Sequence, residues 1–208
     1  MPPSSEILNE LATISNAGIP VAVFWHVVFG IVIAALLLGW RPPQRTAAIG
    51  LALPLLSVSF FAWRFDNPFN GTIFLVFALL LAILGLRLPG QKVRPGAGWS
   101  LAAGSLMIVF GWIYPHFLVT STWTKYFYAA PTGLVPCPTL SLVIGFALLA
   151  NGFASLPWSA ALAVIGIFYS LFGALRLQVR LDFILLAGAL LLLLQMPSAR
   201  PRSRAKHA

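Results

Sequence analysis

Charge of either sign is scarce, and negative charge scarcest. Four Asp and Glu stand in 208 residues, and all charged residues together make up 8% of the chain. A water-soluble domain carries about a quarter charged residues on its solvated surface. This chain is instead 60% hydrophobic, with a mean hydropathy of +0.93. Runs such as Val21–Leu38 and Phe183–Leu194 need lipid, or other helices in lipid, as their solvent. The single cysteine, Cys137, excludes an intrachain disulfide, a CxxC redox pair and a cysteine-only zinc site. Three methionines are too few for a Met-rich copper exporter. Paired carboxylates, a phosphate loop, a Gly-x-Ser-x-Gly elbow and a His-Glu-x-x-His helix are all missing, so no catalytic residue is assigned. No Lys or Arg precedes the first apolar run, and no small-residue cleavage pattern follows it; a secretory signal peptide is not expected.

What the chain holds is a series of apolar runs. A spanning helix takes about 20 mostly apolar residues, and such runs cover roughly Val21–Trp40, Thr46–Phe65, Asn70–Leu86, Trp99–Leu118, Cys137–Phe153, Pro157–Leu175 and Val179–Met196. The expected fold class is all-α: a polytopic transmembrane bundle of seven spans. Pro54 removes a backbone donor in the middle of the second run and should kink it, and Pro157 suits the first turn of the sixth. Gly166, Ser170 and Ala174, and likewise Ala78 and Ala82, place small residues where helices can approach closely. Ahead of the first run, Ser4 or Ser5 can cap a short helix whose Ile7, Leu8, Leu11 and Ile14 share one face; it is expected to lie on the outer leaflet. The chain thus divides into an extracytoplasmic interfacial segment (1–19), a seven-helix transmembrane domain (20–197) and a basic cytoplasmic tail (198–208).

The net charge of +9 comes from 13 Lys and Arg set between the runs and on the tail, at Arg200, Arg202, Arg204 and Lys206. That distribution sets topology and argues against nucleic acid as a partner. Arg41, Arg45, Arg87, Lys92, Arg94 and the four tail cations fall on one side, against Arg64, Lys125, Arg176 and Arg180 on the other. The richer side belongs in the cytoplasm, which puts the N-terminus outside a bacterial inner membrane and the C-terminus inside. Trp40, Trp99 and Trp158 then mark the inner interface. Expected partners are the bilayer, anionic headgroups at the tail, and a membrane-protein partner or second copy.

On this topology nearly all the polar chemistry falls outside. His26 lies just within the first span. Arg64, Asp66, Asn67 and Asn70 join the second and third, His116 closes the fourth, and Lys125 lies in the loop after it. Cys137 and Thr139 open the fifth, and Arg176, Arg180 and Asp182 join the last two. Ionisable residues near membrane depth are costly unless paired or functional, so this cluster is the candidate ligand site, with His26, His116 and Cys137 as candidate metal ligands. Plainer roles exist for each. Arg64 and Asp66 can snorkel or pair, Arg176, Arg180 and Asp182 can form an interfacial salt-bridge set, Lys125 can be solvated, and Cys137 can be a small apolar residue. The segment Ala129–Thr139, AAPTGLVPCPT, cannot be a regular helix. Its free carbonyls are expected to face a cavity, with the Cys137 thiolate stabilised by His116, Arg64 or Lys125.

The Pro136-Cys137-Pro138-Thr139 core within Tyr128–Leu148 resembles a family of small uncharacterised bacterial multispanning membrane proteins, in which such a segment opens a late helix. Ser59–Leu79, with its Asn67-Pro68 turn, and Gly111–Phe117, with its Tyr114-Pro115 pair, are similar to the same family. The resemblance implies fold and topology and supplies no activity. Three functions remain open. One is transport or handling of a small solute or soft metal ion. Another is a subunit or assembly factor of a redox complex, with His26 and His116 as haem ligands. The third is an intramembrane enzyme built on Cys137, His116 and Asp66 or Asp182.

Overall fold

The computed structural model describes residues 3–195; Met196 and the tail with Arg200, Arg202, Arg204 and Lys206 lie outside the described residues. Among those described, the chain is helical throughout, with no strand. Four helical stretches are long and apolar enough to cross a membrane: α2 (Ile19–Leu37), α3 and α4 (Gln44–Gly50 and Leu53–Arg64), α5 (Pro68–Leu86), and α9 (Leu156–Leu171) with the turn that continues it to Arg176. Three shorter apolar helices complete the bundle: α6 (Gly98–Ile113), α8 (Pro136–Leu149) and α10 (Asp182–Gln195). The amphipathic α1 (Ser4–Ala17) and the one-turn α7 (Tyr126–Ala129) lie outside this set.

Local chemistry accounts for the boundaries. The break between α3 and α4 falls just before Pro54, which sits in the first turn of α4 where its missing N–H costs nothing. Asn67 caps α5 by accepting the Asn70 N–H at 3.1 Å. Ser155 does the same for α9, accepting the Trp158 N–H at 3.4 Å two residues before Pro157. The fourth apolar run is shorter than the expected 99–118, because Tyr114-Pro115 ends α6 at Ile113.

The short α8 is the centre of the molecule. Every residue from Ala129 to Leu148 is buried. At 1.5 Å per residue a 14-residue helix reaches only about 21 Å, and a helix wrapped by others need not match a bilayer on its own. Helices α6 and α8 meet almost backbone to backbone: a Cβ at Gly104 would stand 2.7 Å from the Gly145 carbonyl oxygen. Gly166 in the small-residue stripe likewise lets α9 approach Ile144 and Ala189.

Three expectations change here. Ser4 lies inside α1, whose N-cap is Pro3, and donates its hydroxyl to the Arg176 carbonyl at 2.9 Å instead of capping. The apolar face of α1 turns onto protein: Ile7, Leu11 and Ile14 pack with Leu134, Val135, Leu177 and Val179. Trp158 is fully buried, its indole N–H donating to the Leu81 carbonyl at 3.2 Å, so it is a core residue rather than an interfacial anchor.

Candidate functional site

Of the four acidic residues only Asp182 is buried. It begins α10, where a carboxylate suits the positive end of the helix, and it is 1% exposed. The Tyr114 hydroxyl donates to Oδ1 at 2.7 Å, and the Cys137 thiol donates to Oδ2 at 3.2 Å. Both of these donors are neutral groups, a phenol and a thiol. Four stretches of chain build this group: the proline-terminated end of α6 brings Tyr114, the first turn of α8 brings Cys137, α10 brings Asp182, and the turn after α9 makes room. That turn, Phe172–Arg176, is a π-helical widening closed by Leu177 N–H to the Phe172 carbonyl at 3.1 Å. It presents Gly173 to Asp182, where any Cβ would run into the carboxylate. Single π turns recur at functional sites because they re-aim a short stretch of helix.

Side-chain hydroxyls around this centre bond to the backbone. Thr132 donates to the Gly111 carbonyl at 3.2 Å, and Thr139 accepts the Gly133 N–H at 2.8 Å while donating to the Val135 carbonyl at 2.7 Å. Ser141 takes the Cys137 carbonyl at 2.8 Å. The segment from Ala129 to Thr139 is buried throughout, and the carbonyls of Ala130, Pro131 and Val135 accept hydrogen bonds from within it. Tyr169, which shares the buried core cluster with Cys137, donates to Asn70 Oδ1 at 2.7 Å.

The remaining candidates separate into those that join this group and those that do not. Asp182, Cys137, Thr139 and Asn70 join it or line it. His26 does not: Nδ1 lies 2.8 Å from the Ala22 carbonyl oxygen and Nε2 2.9 Å from that of Trp112. A neutral imidazole carries one N–H, so the tautomer decides which of the two carbonyls His26 donates to. His116 sits in the loop after α6 against the rings of Phe117 and Tyr114. Arg64 and Asp66 are exposed, Arg64 lying over the Phe65 ring at 5.9 Å. Arg176 donates to Ser4 Oγ at 2.7 Å, and Lys125 ends a single 3-10 turn in the aromatic loop. Cys137 thus donates to Asp182, where His116, Arg64 or Lys125 was the expected neighbour, and Asp182 accepts from Tyr114 and Cys137. Among the described residues no three of His, Cys, Asp and Glu are grouped to hold a metal ion. Tyr114 and Tyr169 were missed by the sequence reading. The available signal was a phenol hydroxyl in an otherwise apolar run, which needs a partner once buried.

Burial holds the His116 imidazole below its ordinary pKa of 6.5. The unfolded chain then binds the proton more readily than the folded one, so stability is full above the ordinary histidine range and falls as pH drops through the lowered value. His116→Gln is expected to flatten the acid-side fall of the thermal midpoint; an unchanged slope would place its origin elsewhere. The chain matches no family model, no curated protein and no solved structure.

Proposed function

We propose that the protein is a seven-span bacterial inner-membrane protein, N-terminus outside, that binds and passes on a small soft cation at Asp182, Cys137 and Tyr114. The observation that carries this reading is a carboxylate buried among neutral donors. A charge at that depth is retained only where it is used or matched. The asymmetry of Lys and Arg supports the orientation. Kinship with the Pro-Cys-Pro-Thr membrane family is proposed on the motif at 136–139, which opens α8.

The donor set suits a soft or borderline ion. A divalent ion that displaces the Cys137 thiol proton meets one thiolate and one carboxylate, so the buried charge is balanced. The phenol oxygen of Tyr114 offers a third, neutral contact. Only two strong ligands come from the chain, which leaves coordination positions for water or an incoming group. That favours passage over permanent storage.

Cadmium is a suitable probe, because a thiolate–cadmium bond absorbs in the near ultraviolet. The detergent-purified protein is expected to take up about one Cd²⁺ per chain with release of a proton. Cys137→Ser should abolish the band, and Asp182→Asn should weaken binding about tenfold or more. His26→Ala and His116→Ala should leave it intact. A wild-type protein that shows no band at saturating cadmium would end the cation reading.

A further inference from the structure

We infer that α1 is a lid over the Asp182–Cys137 site, pivoting at Gly18, and that a cation reaches the site along a polar seam the lid covers. The identity of the cargo as a cation rests on the function proposed above; the lid itself rests on geometry alone. A single residue, Gly18, separates α1 from α2. The apolar underside of α1 lies on Leu134, Val135, Leu177 and Val179, which flank Cys137 and Asp182 in the chain. Polar tethers hold both ends and the middle. Ser4 bonds the Arg176 carbonyl. Asn67 Nδ2 donates to Glu10 Oε2 at 3.2 Å. Asn16 donates to the Phe117 carbonyl at 3.1 Å and accepts the Val119 N–H at 3.0 Å. The tethers are exposed or half-buried hydrogen bonds, with Ser4 and Arg176 exchanging two, Asn16 making two and Glu10 receiving one, each worth about 1 kcal/mol net, and the buried apolar contact of α1 is made by Ile7, Leu11 and Ile14. Elements held this lightly open well before the core does.

Beneath the middle tether lies a continuous row of polar groups. Glu10 receives Asn67, Asn67 caps Asn70, and Asn70 accepts the Tyr169 hydroxyl. Tyr169 in turn belongs to the same buried core cluster as Cys137. The outward side of α1 forms an open groove with Glu6, Asn9, Glu10 and Thr13, so the acidic groups stand where the row meets solvent. Lifting α1 breaks the Glu10–Asn67 bond and exposes the row to water. It also removes the apolar cover from the residues next to Cys137.

The only thiol in the chain reports directly on this motion. In the full-length protein in detergent, alkylation of Cys137 by N-ethylmaleimide is expected to be slow. Asn67→Asp keeps the cap of α5 but sets a second carboxylate against Glu10; alkylation should quicken about three- to tenfold at neutral pH. Adding Glu10→Gln restores a donor and should bring the rate back toward wild type. Leu79→Ala, an exposed position on α5, should leave it unchanged. In the unsubstituted protein, amide exchange should release α1 as a unit before α6 and α8. Wild-type alkylation in Asn67→Asp, no rescue in the double variant, or α1 amides as protected as those of α8 would each overturn the lid. Alkylation and exchange read access alone, so they fail independently of cadmium binding.

Discussion

Alanine at position 182 is expected to lower the free energy of unfolding by about 2–5 kcal/mol, and asparagine by about half of that or less. The carboxylate is the shared acceptor of two buried donors, the Tyr114 hydroxyl and the Cys137 thiol. Removing it strands both and leaves a small void between α6, α8 and α10. Asparagine keeps the volume and an oxygen for Tyr114, and its amide can turn toward the sulfur. The order Ala worse than Asn therefore follows from hydrogen-bond satisfaction. Thermal unfolding in detergent reads it, with Asp66→Asn as the comparison at an exposed acid. Tyr114→Phe combined with Asp182→Ala should cost less than the two alone added together, because the stranded phenol is the larger part of the damage. Additive losses, or a D182A protein no weaker than D66N, would show that the carboxylate is not the hub of this contact.

The elements were legible in the chain because their causes are local. Hydrophobic run length located the apolar helices, and Pro157 stands in the first turn of α9 as expected; Pro54, expected to kink a span midway, instead opens α4, and α5 begins ahead of the expected Asn70, capped by Asn67. The gathering of polar residues was legible in part. Residues 4–16, 67–70, 114–119 and 176–182 are joined by the hydrogen bonds and apolar contacts around α1. What could not be read was which side chains meet. Periodicity gives the face of a helix relative to itself, not its rotation within a bundle. In lipid an all-apolar helix is equally at home outside or at the centre. α2 and α8 are both apolar all round, yet α2 exposes Phe24, Val27 and Ile31 while α8 is wholly enclosed. The difference lies in size and polarity: α8 carries Thr139, Ser141, Gly145 and Ala147, residues that let neighbours close in. For the same reason histidine looked like the richer ligand. His26 sets its ring between the carbonyls of Ala22 and Trp112, a placement for which its position in an apolar run gives no warning.

Gly133→Ala is expected to be among the most damaging single-methyl additions in the chain, because two separate penalties coincide there. Its φ of +75° lies in the left-handed region, where a Cβ costs about 1 kcal/mol. That Cβ would also run into the indole of Trp25, which is buried and donates to Ser57 Oγ at 3.1 Å. Displacing the indole strains the contacts of Trp25 with Phe29 and of the cluster it shares with Leu142 and Phe146. It also shifts the turn whose N–H to Thr139 sets the start of α8 and hence the place of Cys137. Overpacking of this kind adds about 1–3 kcal/mol, for a total near 2–4 kcal/mol. Two other glycines separate the contributions. Gly39 has φ +91° and nothing within 4 Å of its would-be Cβ, so alanine there meets the backbone penalty alone; Gly90 has neither feature. Thermal midpoints should rank Gly90→Ala near wild type, Gly39→Ala modestly lower, and Gly133→Ala lowest by a clear margin. The last should also lose cadmium binding before it unfolds, since the thiol moves with the turn. Equal losses at 133 and 39 would mean that the indole yields freely, and that the Pro-Thr-Gly turn is not what holds Cys137 against Asp182.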